Sequence, residues 1–132
     1  MYGFSLTLNT TFDAAMEGVT EALKAESFGI LSDIDVAGTL KKKLDIDRLP
    51  YRILGACNPP FANRAIEAEP DIGLLLPCNV VVRQMADGNI HVAFMDPTAV
   101  LKLVDKPEIH ELAAEVGKRL QRVHDSLSAQ QP

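Results

Sequence analysis

Residues 77–95 limit the fold more strongly than any other part of the sequence. Pro77 to Met85 is dense in valine and Ile90 to Met95 is again apolar, so both segments predict strands. Asp87-Gly88 between them favours a two-residue hairpin turn, because a type I′ turn needs positive φ at both positions. That turn predicts that Val80 faces Met95 and that Val82 faces Ala93. Apolar residues then lie on both faces of the hairpin, and each face needs a cover.

The rest of the chain alternates strands with amphipathic helices. Alternation predicts a strand over 2–8, and the following helix carries an apolar stripe from Phe12 to Leu23. Further strands are predicted over 30–34 and 51–57, and helices after the caps Asp35 and Asn58. The helix after Asn58 is expected to bury Phe61, Ala62, Ala65 and Ile66. A short helical turn is expected over 98–103, and Asp105 is expected to open the last helix with Glu108 as its capping-box partner.

The order β-α-β-α-β-α-β-β-α predicts an α+β fold, with a mixed or antiparallel sheet that carries its helices on one face. We expect a single domain over residues 1–125 and a frayed tail over 126–132. The uncovered sheet face must be solvated, line a ligand groove or be buried by a second copy. Because both hairpin faces are apolar, we expect a homodimer.

Charge and hydropathy exclude several classes of function. The chain has 13 Lys and Arg against 18 Asp and Glu, a net charge of −5, which argues against a nucleic-acid partner. The longest apolar run, Ile72 to Leu76, is too short to cross a membrane. The segment from Met1 to Leu8 lacks the features of a signal peptide, so we expect a cytoplasmic protein with reduced thiols.

A doubled Cys-Asn pair is the main chemical signal. Cys57-Asn58 falls where a strand meets a helix, and Cys78-Asn79 begins the first hairpin strand. A thiol beside a helix N-terminus is suited to nucleophilic or redox chemistry, although a free cysteine is more often a small buried hydrophobe. Thiols and side-chain amides at strand ends also suit a small-molecule groove, and Asp96, in the Asp96-Pro97 turn, is included among its candidate residues.

No metal or cofactor site is predicted. Cys57, Cys78 and Met95 would suit Cu(I) only if they converged, which the sequence does not establish. The predicted hairpin places Cys78 on the same face as His91 but roughly 20 Å from it, too far for one metal ion. No histidine follows a recognisable catalytic order, and glycine-rich nucleotide motifs are absent. The sequence leaves open whether the chain is an enzyme.

Three segments resemble one family. Tyr51 to Pro59, Ile72 to Val82 and Phe94 to Pro97 closely resemble the family known as domain of unknown function 302, and the resemblance extends over nearly the whole chain. It implies an α+β structure grouped with the TATA-box-binding-protein-like folds, and association as dimers. It supplies no catalytic residues. The leading hypothesis is therefore a homodimeric small-molecule-binding or accessory module with a groove near Cys57, Asn58, Cys78 and Asn79, and the alternative is a thiol enzyme or redox protein that uses Cys57.

Overall fold

The computed structural model describes residues 1–130, and the predicted order of strands and helices is confirmed. The strands are β1 Gly3–Leu8, β2 Gly29–Asp35, β3 Tyr51–Cys57, β4 Cys78–Gln84 and β5 Ile90–Met95. The α-helices are α1 Phe12–Ala25, α2 Val36–Leu44, α3 Pro59–Ala68, α4 Pro97–Val100 and α5 Pro107–Ala129. Two 3₁₀ segments, Pro70–Leu75 and Leu101–Leu103, follow α3 and α4.

The five strands form one sheet in the order β1-β5-β4-β3-β2, and every neighbouring pair is antiparallel. The α+β prediction is confirmed, and of its two sheet types the antiparallel one is found. The main core lies between this sheet and helices α1 and α5, and it includes Val19, Leu23, Val80, Val92 and Leu120. We call this side the helix-covered face and the opposite side the open face.

Local capping chemistry fixes where most helices begin. Thr11, Asp35 and Asn58 accept hydrogen bonds from the backbone N–H three residues on, as N-cap side chains do. The predicted cap at Asp105 is wrong, because α5 begins at Pro107 after Lys106 and has no side-chain cap. Since proline lacks an N–H and suits the first helical turn, Pro107 itself sets the start.

The hairpin between β4 and β5 differs from its prediction by one residue. Val80 pairs with Phe94 and Val82 with Val92, not with Met95 and Ala93. The Asp87 carboxylate accepts a hydrogen bond from Asn89 N at 2.9 Å, and Met85 N donates to Asn89 O at 2.8 Å. The loop therefore has three residues, with Gly88 at φ 90°, rather than a two-residue turn.

A one-residue shift in register changes which residues of the two strands lie on the same face of the sheet. Val80, Val82, Val92 and Phe94 are all buried on the helix-covered face. The hairpin thus has one dense apolar face instead of two equal ones. The predicted shared face of Cys78 and His91 is also wrong, because Cys78 follows Val80 and Val82 inward whereas His91 pairs with Arg83 on the open face.

The open face still carries an apolar row across the sheet. Ile34 pairs with Ile53, Ile53 with Val81, and Val81 with Ala93. Ile34 is 49% exposed, and Val81 is only partly buried. The next row along the strands is polar: Tyr51, Arg83, His91 and Thr7 are successive partners. We call the four-residue apolar set the open-face row.

The C-terminal boundary lies further along than predicted. Helix α5 continues through Ala129, and Leu127 is 2% exposed within the main core, so residues 126–129 are part of the domain and not a frayed tail. Residues 131 and 132 of the predicted tail lie outside the described residues. Within residues 1–130, none of the helices combines the length and apolarity that a membrane span requires.

Candidate functional site

A cavity of about 300 Å³ opens at the end of the sheet where β3 leads into α3. Its lining brings together Cys57, Asn58 and Cys78, three of the five residues predicted from the sequence. Ala56 pairs with Cys78 across β3 and β4, so the chain register itself places the two cysteines beside one end of the cavity. Leu31, 69% exposed, and Ile66, 47% exposed, lie at its rim.

The helices supply the remaining walls. Ala65 of α3 is 6% exposed, and Leu112 and Val116 of α5 line the side facing the sheet. Phe61 separates the cavity from Arg119, whose guanidinium lies 5.2 Å from the ring centroid. Arg119 in turn donates a hydrogen bond to Glu26 O at 3.2 Å, so a cation–π contact and a backbone bond hold this wall in place.

Pro77 closes one edge of the cavity by lying directly over β3. The Leu76–Pro77 peptide bond is cis, and Pro77 lies against Gly55. A Cβ at residue 55 would fall 2.7 Å from Pro77 Cγ and would also collide with Ser32 Oγ. Only glycine permits this approach, so Gly55 is part of the architecture of the cavity.

Asn58 is the single buried polar residue within residues 1–130, with 7% of its surface exposed. Its Oδ1 accepts a hydrogen bond from Phe61 N at 3.3 Å, and its backbone oxygen accepts one from Ala62 N at 2.9 Å. Pro59 and Pro60, which lie between Asn58 and Phe61, have no N–H to donate. Helix α3 therefore offers no free N–H between Pro59 and Ala62 to a thiolate.

The thiols are not activated. Burial raises the pKa of the Cys57 thiol above its ordinary value. Burial, with a smaller contribution from the neighbouring Cys57, raises the pKa of Cys78 to about 12. A nucleophilic cysteine requires the opposite shift. The thiolate stabilisation that the alternative hypothesis needs at Cys57 has no support in this geometry, because prolines and the Asn58 cap occupy that helix end.

Asn79 and Asp96 lie away from the cavity. Asn79 is exposed on the open face, since it is the neighbour of Cys78 within β4 and strand alternation turns it outward. Asp96 caps α4: its Oδ1 accepts hydrogen bonds from Thr98 N at 3.0 Å and Thr98 Oγ1 at 2.7 Å. The single groove predicted to contain all five residues is corrected to a cavity that contains three.

Metal binding finds no support in the part of the chain that the structure describes. Met95 lies on the open face beside Ala93 and Asn79, whereas both cysteines line the cavity, so the three sulfur atoms do not form one site. No group of three His, Cys, Asp or Glu side chains with metal-binding geometry occurs within residues 1–130.

The residues that form the cavity walls were not predicted from the sequence, for a physical reason. Phe61, Leu112 and Val116 show the same helical periodicity as residues of a filled core, and a pattern of apolar positions does not report how much space remains between them. Ala62 and Ala65 are the sequence feature that could have indicated a cavity. Two small side chains on the buried side of one short helix leave volume that the opposing elements must fill or leave open.

The comparisons with known proteins agree with the resemblance drawn from the three sequence segments. The model of the family described as Domain of unknown function DUF302 matches residues 4–127. The crystal structure of an uncharacterized conserved protein DUF302 from Bacillus stearothermophilus is similar at 32% identity and a TM-score of 0.86, covering 95% of this chain and 97% of that chain. No curated protein matches the chain.

Proposed function

Since the chain belongs to the DUF302 family, whose description assigns no activity, we propose from the geometry that it is a binding module for a small, mostly apolar molecule. The observation that carries the proposal is the cavity at Cys57, Asn58 and Cys78. Its volume of about 300 Å³ lies at the lower end of the range for small-molecule sites. Apolar walls with few polar groups are also typical of such sites.

The uncharged lining favours binding over catalysis. Among residues 1–130, none that lines the cavity carries a charge, and neither of the two thiols in the lining has a lowered pKa. General acid–base or nucleophilic chemistry needs a group whose pKa is adjusted toward its task. A site without such a group retains a ligand by burying its apolar surface.

Native mass spectrometry of gently purified protein tests the proposal. We expect the wild-type chain to carry a reproducible extra mass that organic extraction releases and identifies. The Ala65→Leu variant, which places a larger side chain at the cavity wall, is expected to purify without that mass. A folded wild-type protein with no extra mass, and with no affinity for small bicyclic hydrocarbons, would contradict the proposal.

The second part of the proposal is that the protein acts as a homodimer through the open face. The open-face row, Ile34, Ile53, Val81 and Ala93, crosses the strands and is bordered along β1, β3, β4 and β5 by a polar row. In a two-fold symmetric contact the same patch meets itself, so an apolar row within a polar border is complementary to its own copy. The strand residues on this face include Arg83 and His91, whereas the β2 carboxylates Asp33 and Asp35 pair with Leu54 and Arg52 on the helix-covered face.

The oligomeric state of Val81→Glu tests this contact. Val81 is at the centre of the row, and two buried carboxylates facing each other across a two-fold axis would strongly oppose association. We expect sedimentation velocity to give a dimer for wild type and a monomer for Val81→Glu. Leu74→Glu is the matched control, because Leu74 is 88% exposed outside the sheet, and that variant should remain dimeric. A monomeric wild type, or a dimeric Val81→Glu, would refute the open face as the interface.

A further inference from the structure

Asn58 has a polar group that the fold does not use. The Phe61 N–H is a donor, so the side-chain atom that accepts from it must be the carbonyl Oδ1, which fixes the orientation of the amide. The Asn58 Nδ2 amide then has no hydrogen-bond partner among the described residues, although the residue as a whole is only 7% exposed.

This amide is not sealed inside the fold, and Asn58 is one of the residues that line the cavity. No fully buried side-chain nitrogen or oxygen in residues 1–130 lacks a partner, so Asn58 Nδ2 keeps contact with open space. Asn58 lines the cavity, and the surrounding walls are almost wholly apolar. A donor in such surroundings favours any molecule that brings an acceptor to it, because an unpaired amide in an apolar environment is costly.

Size and charge define the class of molecule. An apolar cavity of about 150 Å³ takes benzene. The cavity here has about twice that volume, which suits a molecule of roughly two fused rings or the equivalent aliphatic bulk. A charged ligand would lose its hydration with no opposite charge on the walls to replace it, so the fitting molecule is uncharged.

We propose that Asn58 Nδ2 anchors an uncharged, mostly apolar molecule of about two rings through one oxygen or nitrogen acceptor on that molecule. The inference rests on the proposed binding function and adds the ligand class and the group that orients it. Asn58 thus has two roles: its Oδ1 caps α3, and its Nδ2 donates a hydrogen bond to the acceptor on the ligand. The two roles are separable by substitution.

A matched pair of probes measures the anchor. Indane and 1-indanone have nearly the same shape, but only 1-indanone has a carbonyl oxygen. We expect isothermal titration calorimetry to give tighter binding of 1-indanone to wild type, by about threefold to tenfold, the effect of one net hydrogen bond. Asn58→Asp keeps the side-chain oxygen that caps α3 and replaces the amide donor by a second carboxylate oxygen, which only accepts, so the preference for 1-indanone should be lost.

Asn63→Asp is the control, since it makes the same change and adds the same charge on the same helix, at an exposed position outside the cavity lining. It should keep the full preference for 1-indanone. Thermal melts of Asn58→Asp and Asn63→Asp check that α3 remains capped.

The outcomes separate the anchor from the binding function. If indane and 1-indanone bind wild type equally, or if Asn58→Asp keeps the preference, the anchor is refuted while the cavity remains a binding site. If neither probe binds wild type, the proposed binding function fails as well.

Discussion

Ala65→Leu should stabilise the protein and abolish the proposed ligand binding. Ala65 is 6% exposed and lines the cavity, so the added side-chain atoms enter empty apolar space rather than a packed core. Three further buried carbons contribute about 2.4 kcal/mol at about 0.8 kcal/mol each. Ordering the leucine side chain costs about 0.5–1 kcal/mol. The expected net gain in the free energy of unfolding is therefore about 1.5 kcal/mol.

Urea denaturation and thermal melts of the ligand-free protein measure this gain. For a domain of this size we expect the melting temperature to rise by roughly 3–6 °C. Calorimetry with indane should show that Ala65→Leu binds at least tenfold more weakly than wild type. The combination of higher stability and lost binding is typical of a site whose open volume is kept for function.

Ala113→Leu is the matched control. Ala113 is 1% exposed and packs in a second, smaller core cluster that includes Leu101 and Ile109. It does not line the cavity, so a leucine there must displace packed neighbours. Overpacking of this kind costs about 1–3 kcal/mol. If Ala65→Leu destabilises the protein as much as Ala113→Leu does, the space beside Ala65 is not available, and the reasoning from cavity volume is refuted.

Two further predictions concern titratable groups. Burial and the facing Arg83 lower the pKa of His91. As the pH falls from about 7.5 to about 5.5, this histidine therefore takes up a proton in the unfolded chain before it does in the folded chain. The free energy of unfolding consequently decreases over this range. Urea denaturation across this range should show a shallower pH slope for His91→Gln than for wild type, and equal slopes would contradict the assignment. Because burial raises the pKa of Cys57, iodoacetamide at neutral pH should alkylate it more slowly than a model peptide thiol; a faster rate, measured by mass spectrometry, would restore the thiol-enzyme hypothesis.

The sequence was most informative where local chemistry decides the structure. Caps at Asp35 and Asn58 and the strand Tyr51–Cys57 were all predictable, because each depends on a few neighbouring residues. Helix α3 shows the limit: Ile66 was expected to be buried but is 47% exposed. Periodicity locates an apolar stripe, but which edge of the stripe meets the core depends on how the helix is placed on the sheet.

The hairpin register shows how an error of one residue in the predicted turn length changes which residues share a sheet face along the whole hairpin. Asp87-Gly88 permits both a two-residue turn and a three-residue loop with one residue at positive φ. The choice depends on the Asp87 carboxylate accepting from Asn89 N, a contact that the dipeptide signal alone does not specify. The open face is apolar in the structure through Ile34 and Ile53 as well as the hairpin residues Val81 and Ala93, and not through two equal hairpin faces.

The two Cys-Asn pairs look like a repeated motif, but strand geometry gives them different surroundings. Asn58 follows the last residue of β3, so it is released from strand alternation and turns into the cap of α3 beside the cavity. Cys78 and Asn79 both lie within β4, where alternation is strict, so the thiol is buried inward and the amide faces out. The position of each pair relative to the strand end therefore decides its role: a substitution at Asn58 acts on the cavity, whereas one at Asn79 acts on the open face.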